Sequence, residues 1–303
     1  MFAAIRCLPQ GRAFAVLCLS VFAGSVSAGS LVTLQQASKL KAETSIDQAL
    51  HEGPPASAPE YDLFFDFFAE APQAAPVKTR VRAAFDKRGL FLFVFNREAR
   101  PERITAKREG EAIWRDDAFE LYLSPGAETP KRYHKFVINA AGAVFSEVRA
   151  RDVRQAGGAS QWGRVKIEGR GANDADGPAL RVRAEIEKNG WRAHVFIPWS
   201  RLGVETVEPG EVWRVAWLRY SRTEGRRFAA SSHGARFNRP RNFGYLRFGT
   251  IRPEQSRAIE QLAEQVPGQW VMPLGSKYPY KSENRTAVAA SRQRVLSLLD
   301  DSE

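Results

Sequence analysis

"LRVRAEIEKNGWRAHVFIPW", residues 180–199, decides the fold class. Two runs alternate apolar and polar residues with the period of two that a strand requires. Between them stands Asn189-Gly190, a dipeptide that favours a tight hairpin turn. Working outward, the same pattern recurs. "TRVRAAF" (79–85) and "LFLFVFN" (90–96) are parted by "DKRG", with Gly89 in the turn. "FELYLS" (119–124), "RYHKFVIN" (132–139) and "AVFSEVR" (143–149) follow, the last two split by "AAG". "VWRVAWLRYSR" (212–222) and "FGYLRF" (243–248) complete the set. Hardly any helical period links these runs, so the pattern predicts an all-β, antiparallel two-sheet β-sandwich of jelly-roll type. A parallel α/β sheet would need helices between the strands.

The two ends read differently. Arg6 and Arg12 precede an apolar stretch, Ala13 to Ala23, and Val26-Ser27-Ala28 offers small residues for cleavage. Residues 1–28 therefore read as a signal peptide, which implies export to the periplasm or beyond the cell. Both cysteines, Cys7 and Cys18, lie inside it, so the processed chain has no disulfide and depends on its core. Residues 29–43 are a lead-in rich in helix formers, and the sandwich is expected over 44–249. Pro54, Pro55 and Pro59 mark a loop, and a Gly-rich loop over roughly 155–178 contains Trp162. Beyond it, "RPEQSRAIEQLAEQV" (252–266) has an amphipathic helical pattern, and 250–303 as a whole reads as a short helical C-terminal extension with an extended tail. No run after the leader approaches a membrane span.

Of the 303 residues 44 % are hydrophobic and 26 % charged, an ordinary globular balance. The formal net charge is +11, and losing Arg6 and Arg12 with no acid leaves about +9. That excess suits anionic partners or simply reflects solvated arginines, since no block of five like charges occurs. Export argues against nucleic acid.

Three chemistries compete for the polar residues. Asp116, Asp117 and Glu120 are carboxylates close in sequence, as glycoside hydrolysis would need, but such pairs normally face one another across a cleft. No nucleophile elbow, phosphate loop, dinucleotide fingerprint or paired-histidine zinc helix is present. The chain thus reads as non-catalytic. His51, His134, His194 and His233 are scattered singly, and Met272 is the one methionine beyond the leader. A haem-binding or electron-carrier sandwich stays open as an alternative. No cofactor is required; structural calcium has candidates in Asp174 and Asp176 of "GANDADG". Trp199, Trp213 and Trp217 fall in apolar strand patterns and read as core. Trp114 is flanked by Arg115, Asp116 and Asp117, which makes it either a lid on the core or a platform for a ligand.

The order of these segments resembles the family 9 carbohydrate-binding modules, secreted β-sandwiches joined to xylanases and other polysaccharide-degrading enzymes. "SIDQALHE" (45–52) is similar to their I-D-G-x-L-D-E, and "TRVRAAFDKRGLFLFVFNREARP" (79–101) to their T-x-V-x-x-x-Y-D-x-x-x-L-Y-V. "KREGEAIWRDDAFELYLSP" (107–125) resembles the W-x-x-D-x-V-E-x-F-L block, with Trp114, Asp117 and Glu120 in the matching places. "KFVINAAG" (135–142), "VFIPWSRLG" (195–203) and "RPRNFGYLRF" (239–248) resemble the remaining blocks in order.

The resemblance implies a glycan partner. Trp114 would be one wall of a sugar clamp, Glu120 the acceptor for hydroxyls, and Lys135 a donor from the next strand. Phe237 stands where the family has its second tryptophan, while Pro55 and Gln48 replace a tryptophan and a glycine of the first block. Arg236, with Arg239 and Arg241, would suit an anionic sugar bearing carboxylate or sulfate. The expectation is an exported, non-catalytic carbohydrate-binding protein linked to polysaccharide recognition or breakdown. An envelope scaffold that has lost its sugar, meeting a protein partner through the C-terminal tail, is the remaining alternative.

Overall fold

The computed structural model describes residues 30–41, 43–69, 73–107, 112–151, 162–169, 180–232, 240–250 and 269–272; residues 30–34, 151, 162–169, 241 and 269–272 are described through the backbone alone. The elements are β1 (Ser30–Lys39), α1 (Ile46–Glu52), β2 (Glu60–Tyr61), β3 (Phe65–Asp66), β4 (Thr79–Phe85), β5 (Gly89–Arg97), β6 (Ala118–Ser124), β7 (Arg132–Asn139) and β8 (Val144–Arg151). They continue with β9 (Trp162–Gly169), β10 (Arg181–Glu187), β11 (Gly190–Pro198), β12 (Val212–Ser221), β13 (Arg227–Ala230), β14 (Gly244–Phe248) and β15 (Gln269–Met272).

The β-rich class holds, with one short α-helix. Two separate antiparallel sheets are not what forms. One hydrogen-bonded path runs β10-β11-β5-β4-β1-β14-β12-β6-β7-β8-β9. Either side of β1 the pairs are antiparallel, but β1 itself lies parallel to β4, where Ala37 meets Ala83, and to β14, where Leu34 meets Tyr245. The segment read as a helix-forming lead-in is therefore the strand that stitches two antiparallel arms into one mixed sheet. β15, within the C-terminal tail, also pairs with β1 in parallel. The leader, the 252–266 pattern and most of the tail lie outside the described residues. Among the described residues, no helix is long and apolar enough to cross a membrane.

The sheet curls into a half-barrel around one core. The Arg219 guanidinium of β12 lies 5.3 Å over the Trp191 ring of β11, although four strands separate them along the path. Trp191, Trp199, Trp213 and Trp217 are essentially fully buried, and with Phe119, Leu121, Leu123, Phe136 and Ile138 they fill the concave side. Each such side chain adds about 2–3 kcal/mol of burial. On the other side, α1 is capped by Ser45, whose Oγ accepts from the Gln48 N–H, and it packs Leu50 among Phe91, Phe93 and Phe196.

The opening hairpin forms with its turn one residue early. Glu187 pairs with Gly190, so Lys188 and Asn189 make the turn and Gly190 begins the strand. Close approach explains the glycine: a Cβ there would sit 2.0 Å from the Asn96 carbonyl oxygen of β5. Only a residue without a side chain lets β11 lie down against β5.

Candidate functional site

β6 pairs with β7 on one side and β12 on the other. Alternation sends Phe119, Leu121 and Leu123 into the main core and Ala118, Glu120 and Tyr122 to the opposite face. That second face is not simply solvated. All seven residues of β6 are buried, and Phe243 covers Tyr122 and Tyr133 with ring centroids 5.7 and 5.3 Å away.

Trp114 sits in a short 3-10 turn, Ile113–Arg115, just before β6. It is half-buried: its indole leans edge-on against Phe145 of β8 at 5.4 Å, and it borders an apolar cluster of Ile113, Ala118, Val137 and Ala143. The turn is held by the two aspartates that follow. Asp116 accepts from the Lys107 N–H at 2.9 Å and the Asn139 amide at 3.0 Å. Asp117 accepts from the Thr223 hydroxyl at 2.8 Å and the Thr223 N–H at 3.1 Å. Burial raises the Asp117 carboxyl above its ordinary value, against the pull of these hydrogen bonds. Both acids thus act as anchors of loops.

Glu120 is 3 % exposed. Its Oε2 accepts from the Tyr122 hydroxyl at 2.8 Å and lies 3.2 Å from Lys135 Nζ, while Oε1 takes no hydrogen bond among the described residues. Lys135 is placed opposite Tyr122 in the β6–β7 ladder. Its ammonium lies 5.5 Å from the Tyr122 ring and 5.8 Å from the Trp114 ring, a cation over two aromatic faces. Burial, then the Glu120 charge, pushes the Tyr122 hydroxyl well above the usual tyrosine value, so it stays a neutral donor. Burial likewise raises Tyr133 to about 12.

Three of the residues singled out in the sequence, Trp114, Glu120 and Lys135, therefore come together. Phe237 and Arg236 lie outside the described residues, as do Arg239, His233, Asp174 and Asp176. Tyr122 was not foreseen, yet its place two residues from Glu120 and opposite a lysine is the signal that marks it. His134 stacks near Phe136 at 6.3 Å, and His194 Nδ1 is 2.8 Å from the Leu50 carbonyl, which joins β11 to α1. Among the described residues, no three His, Asp or Glu side chains gather as a metal site. A cleft of about 570 Å³ lined by Ser124, Arg132, His134 and Arg201 lies at the far end of β6, away from Trp114.

The arrangement offers an aromatic edge and face, an indole N–H without a partner among the described residues, one spare carboxylate oxygen and an ammonium. These groups match a pyranose ring, which has apolar C–H faces and a hydroxyl rim.

No protein-family model matches the sequence, and no curated protein matches it. Among solved structures the chain shares its fold with a "putative carbohydrate-binding protein" from Bacteroides uniformis ATCC 8492, at TM-score 0.50 and 17 % identity over 73 % of this chain and 99 % of that one. A family 9 carbohydrate-binding module from Caldicellulosiruptor kristjanssonii, seen with cellotriose and with glucose, is similar at TM-score 0.44 and 10 % identity, over 73 % of this chain and 96 % and 97 % of those. The resemblance read in the sequence is found again among structural neighbours, as a likeness of fold.

Proposed function

We propose that the protein is an exported, non-catalytic glycan binder that stacks a sugar ring on Trp114, with Glu120 and Lys135 addressing its hydroxyls. The observation that carries this reading is the half-exposed indole, fixed by Phe145 and bordered by a carboxylate and an ammonium. The structural neighbour from Bacteroides uniformis, described as a carbohydrate-binding protein, agrees with it. Export is supported by the leader-like residues 1–28, and a non-catalytic role by Asp116 and Asp117, which are occupied in holding loops.

The test is a glycan array followed by calorimetry on wild type and Trp114→Ala. Losing one ring contact typically removes about 1–2 kcal/mol, so affinity should fall about tenfold while near-UV dichroism of the core tryptophans persists. Equal binding by the variant would dismiss the platform. Sugar release by the purified chain, abolished by Asp117→Asn, would replace binding with hydrolysis.

A further inference from the structure

The face that carries Trp114 bears a second aromatic group. Tyr220 of β12 stands directly opposite Ala118 of β6, and Phe228 of β13 directly opposite Tyr220. The Phe67 N–H then donates to the Phe228 carbonyl at 3.2 Å, extending the β3–β13 ladder. Residues paired in register point to the same side of a sheet. Ala118 belongs to the apolar cluster that Trp114 borders, so all these rings share one face and one end of the strands.

The rings hold one another. Tyr220 and Phe228 are 4.7 Å apart, and Phe68 meets Phe67 at 5.2 Å and Phe228 at 6.2 Å. Phe68 is 68 % exposed; Ile186 is the other large apolar side chain so exposed among the described residues. A fixed aromatic edge in water marks a contact surface.

Strand spacing sets the distance between the two groups. Trp114 leans toward β8, two strands from β6, and Phe228 lies on β13, two strands the other way. At about 4.8 Å per strand the platforms are roughly 10–20 Å apart, several sugar rings rather than one. The ground between them carries a charge: Arg222, with its side chain 52 % exposed, reaches toward Asp116 at 4.0 Å. Rings separated by hydrogen-bonding groups follow the alternation of C–H faces and hydroxyls along a glycan.

We propose that Tyr220, Phe228 and Phe68 form a second stacking platform for the polysaccharide that rests on Trp114. The ligand is then an extended run of pyranose rings crossing the strands, not a single ring; this rests on the glycan reading above.

The experiment measures affinity for cello-, xylo- and manno-oligosaccharides from a single ring to about six. Wild type should gain affinity with length. Phe68→Ala should lose that gain, about three- to tenfold on the longest chains, and leave the single ring unchanged. Phe68→Trp should keep it, and Trp114→Ala should weaken every length. Undiminished length dependence in Phe68→Ala overturns the second platform while the Trp114 site stands. If no oligosaccharide binds wild type, both readings fall. Sedimentation showing a dimer that Phe68→Ala dissociates would assign the patch to a second copy and overturn the proposal.

Discussion

Two buried ion pairs sit on opposite faces of the same strand pair, β6 and β12. On the core side Arg219 donates to Glu98, and both side chains are wholly buried. The Ser221 hydroxyl donates to the same carboxylate at 3.0 Å, and the Glu98 N–H donates to the Asn189 carbonyl at 3.0 Å. This pair ties β12 to the end of β5 and to the β10–β11 hairpin. On the other face Lys135 meets Glu120, with the ammonium side chain 14 % exposed and one carboxylate oxygen spare. The first pair is shut off from solvent, and Arg219 Nε and Nη1 stay buried without a hydrogen-bond partner among the described residues. The second stands at a rim, with its ammonium 5.8 Å from the half-buried Trp114 ring. Desolvation is nearly complete for one and partial for the other, which separates a fastening from the candidate site.

Arg219→Ala should have the largest effect. It strands a buried carboxylate, at a cost of about 3–5 kcal/mol in urea unfolding. Lys135→Met should cost about 1–2 kcal/mol, because Tyr122 still satisfies Glu120 and water has access. It should also weaken glycan binding while Arg219→Lys, where folded, does not. A larger stability loss from Lys135→Met than from Arg219→Ala would abolish the distinction. The smallest effect concerns neither pair. Burial lowers the His194 imidazole below its ordinary 6.5, so the unfolded chain takes up the proton first. Its contribution is complete above pH 6.5 and is lost as pH falls toward the lowered value. The unfolding midpoint should drop over that window, and His194→Gln should flatten the slope.

Much of this was legible in the residues. Alternation located the long hairpins and sent Trp213 and Trp217 inward, and both are buried. The same parity holds Arg219 on the inner face, two and six places beyond Trp217 and Trp213. There it meets Glu98, a pairing that the residues alone did not announce. Trp114, Glu120 and Lys135 were likewise readable, since one turn and two paired strands bring them together. The parallel strand was not. β1 is defined by its partners in β4 and β14, more than forty and two hundred residues on, and no local pattern carries such register. Nor did sequence show that the outer face of β6 would be covered, because the cover, Phe243, comes from the far end of the chain. The Asn189-Gly190 turn shifted by one residue for the same reason: contact with Asn96, not the turn itself, fixed the glycine.

The first strand made is also among the last to find its neighbours. β1 leaves the ribosome about two hundred residues before its partner β14. Until then each arm can zip its own hairpins, but the half-barrel stays open along its seam. Such long-range closure is slow. The delay means that the curled shape is completed only when the β14 segment has arrived.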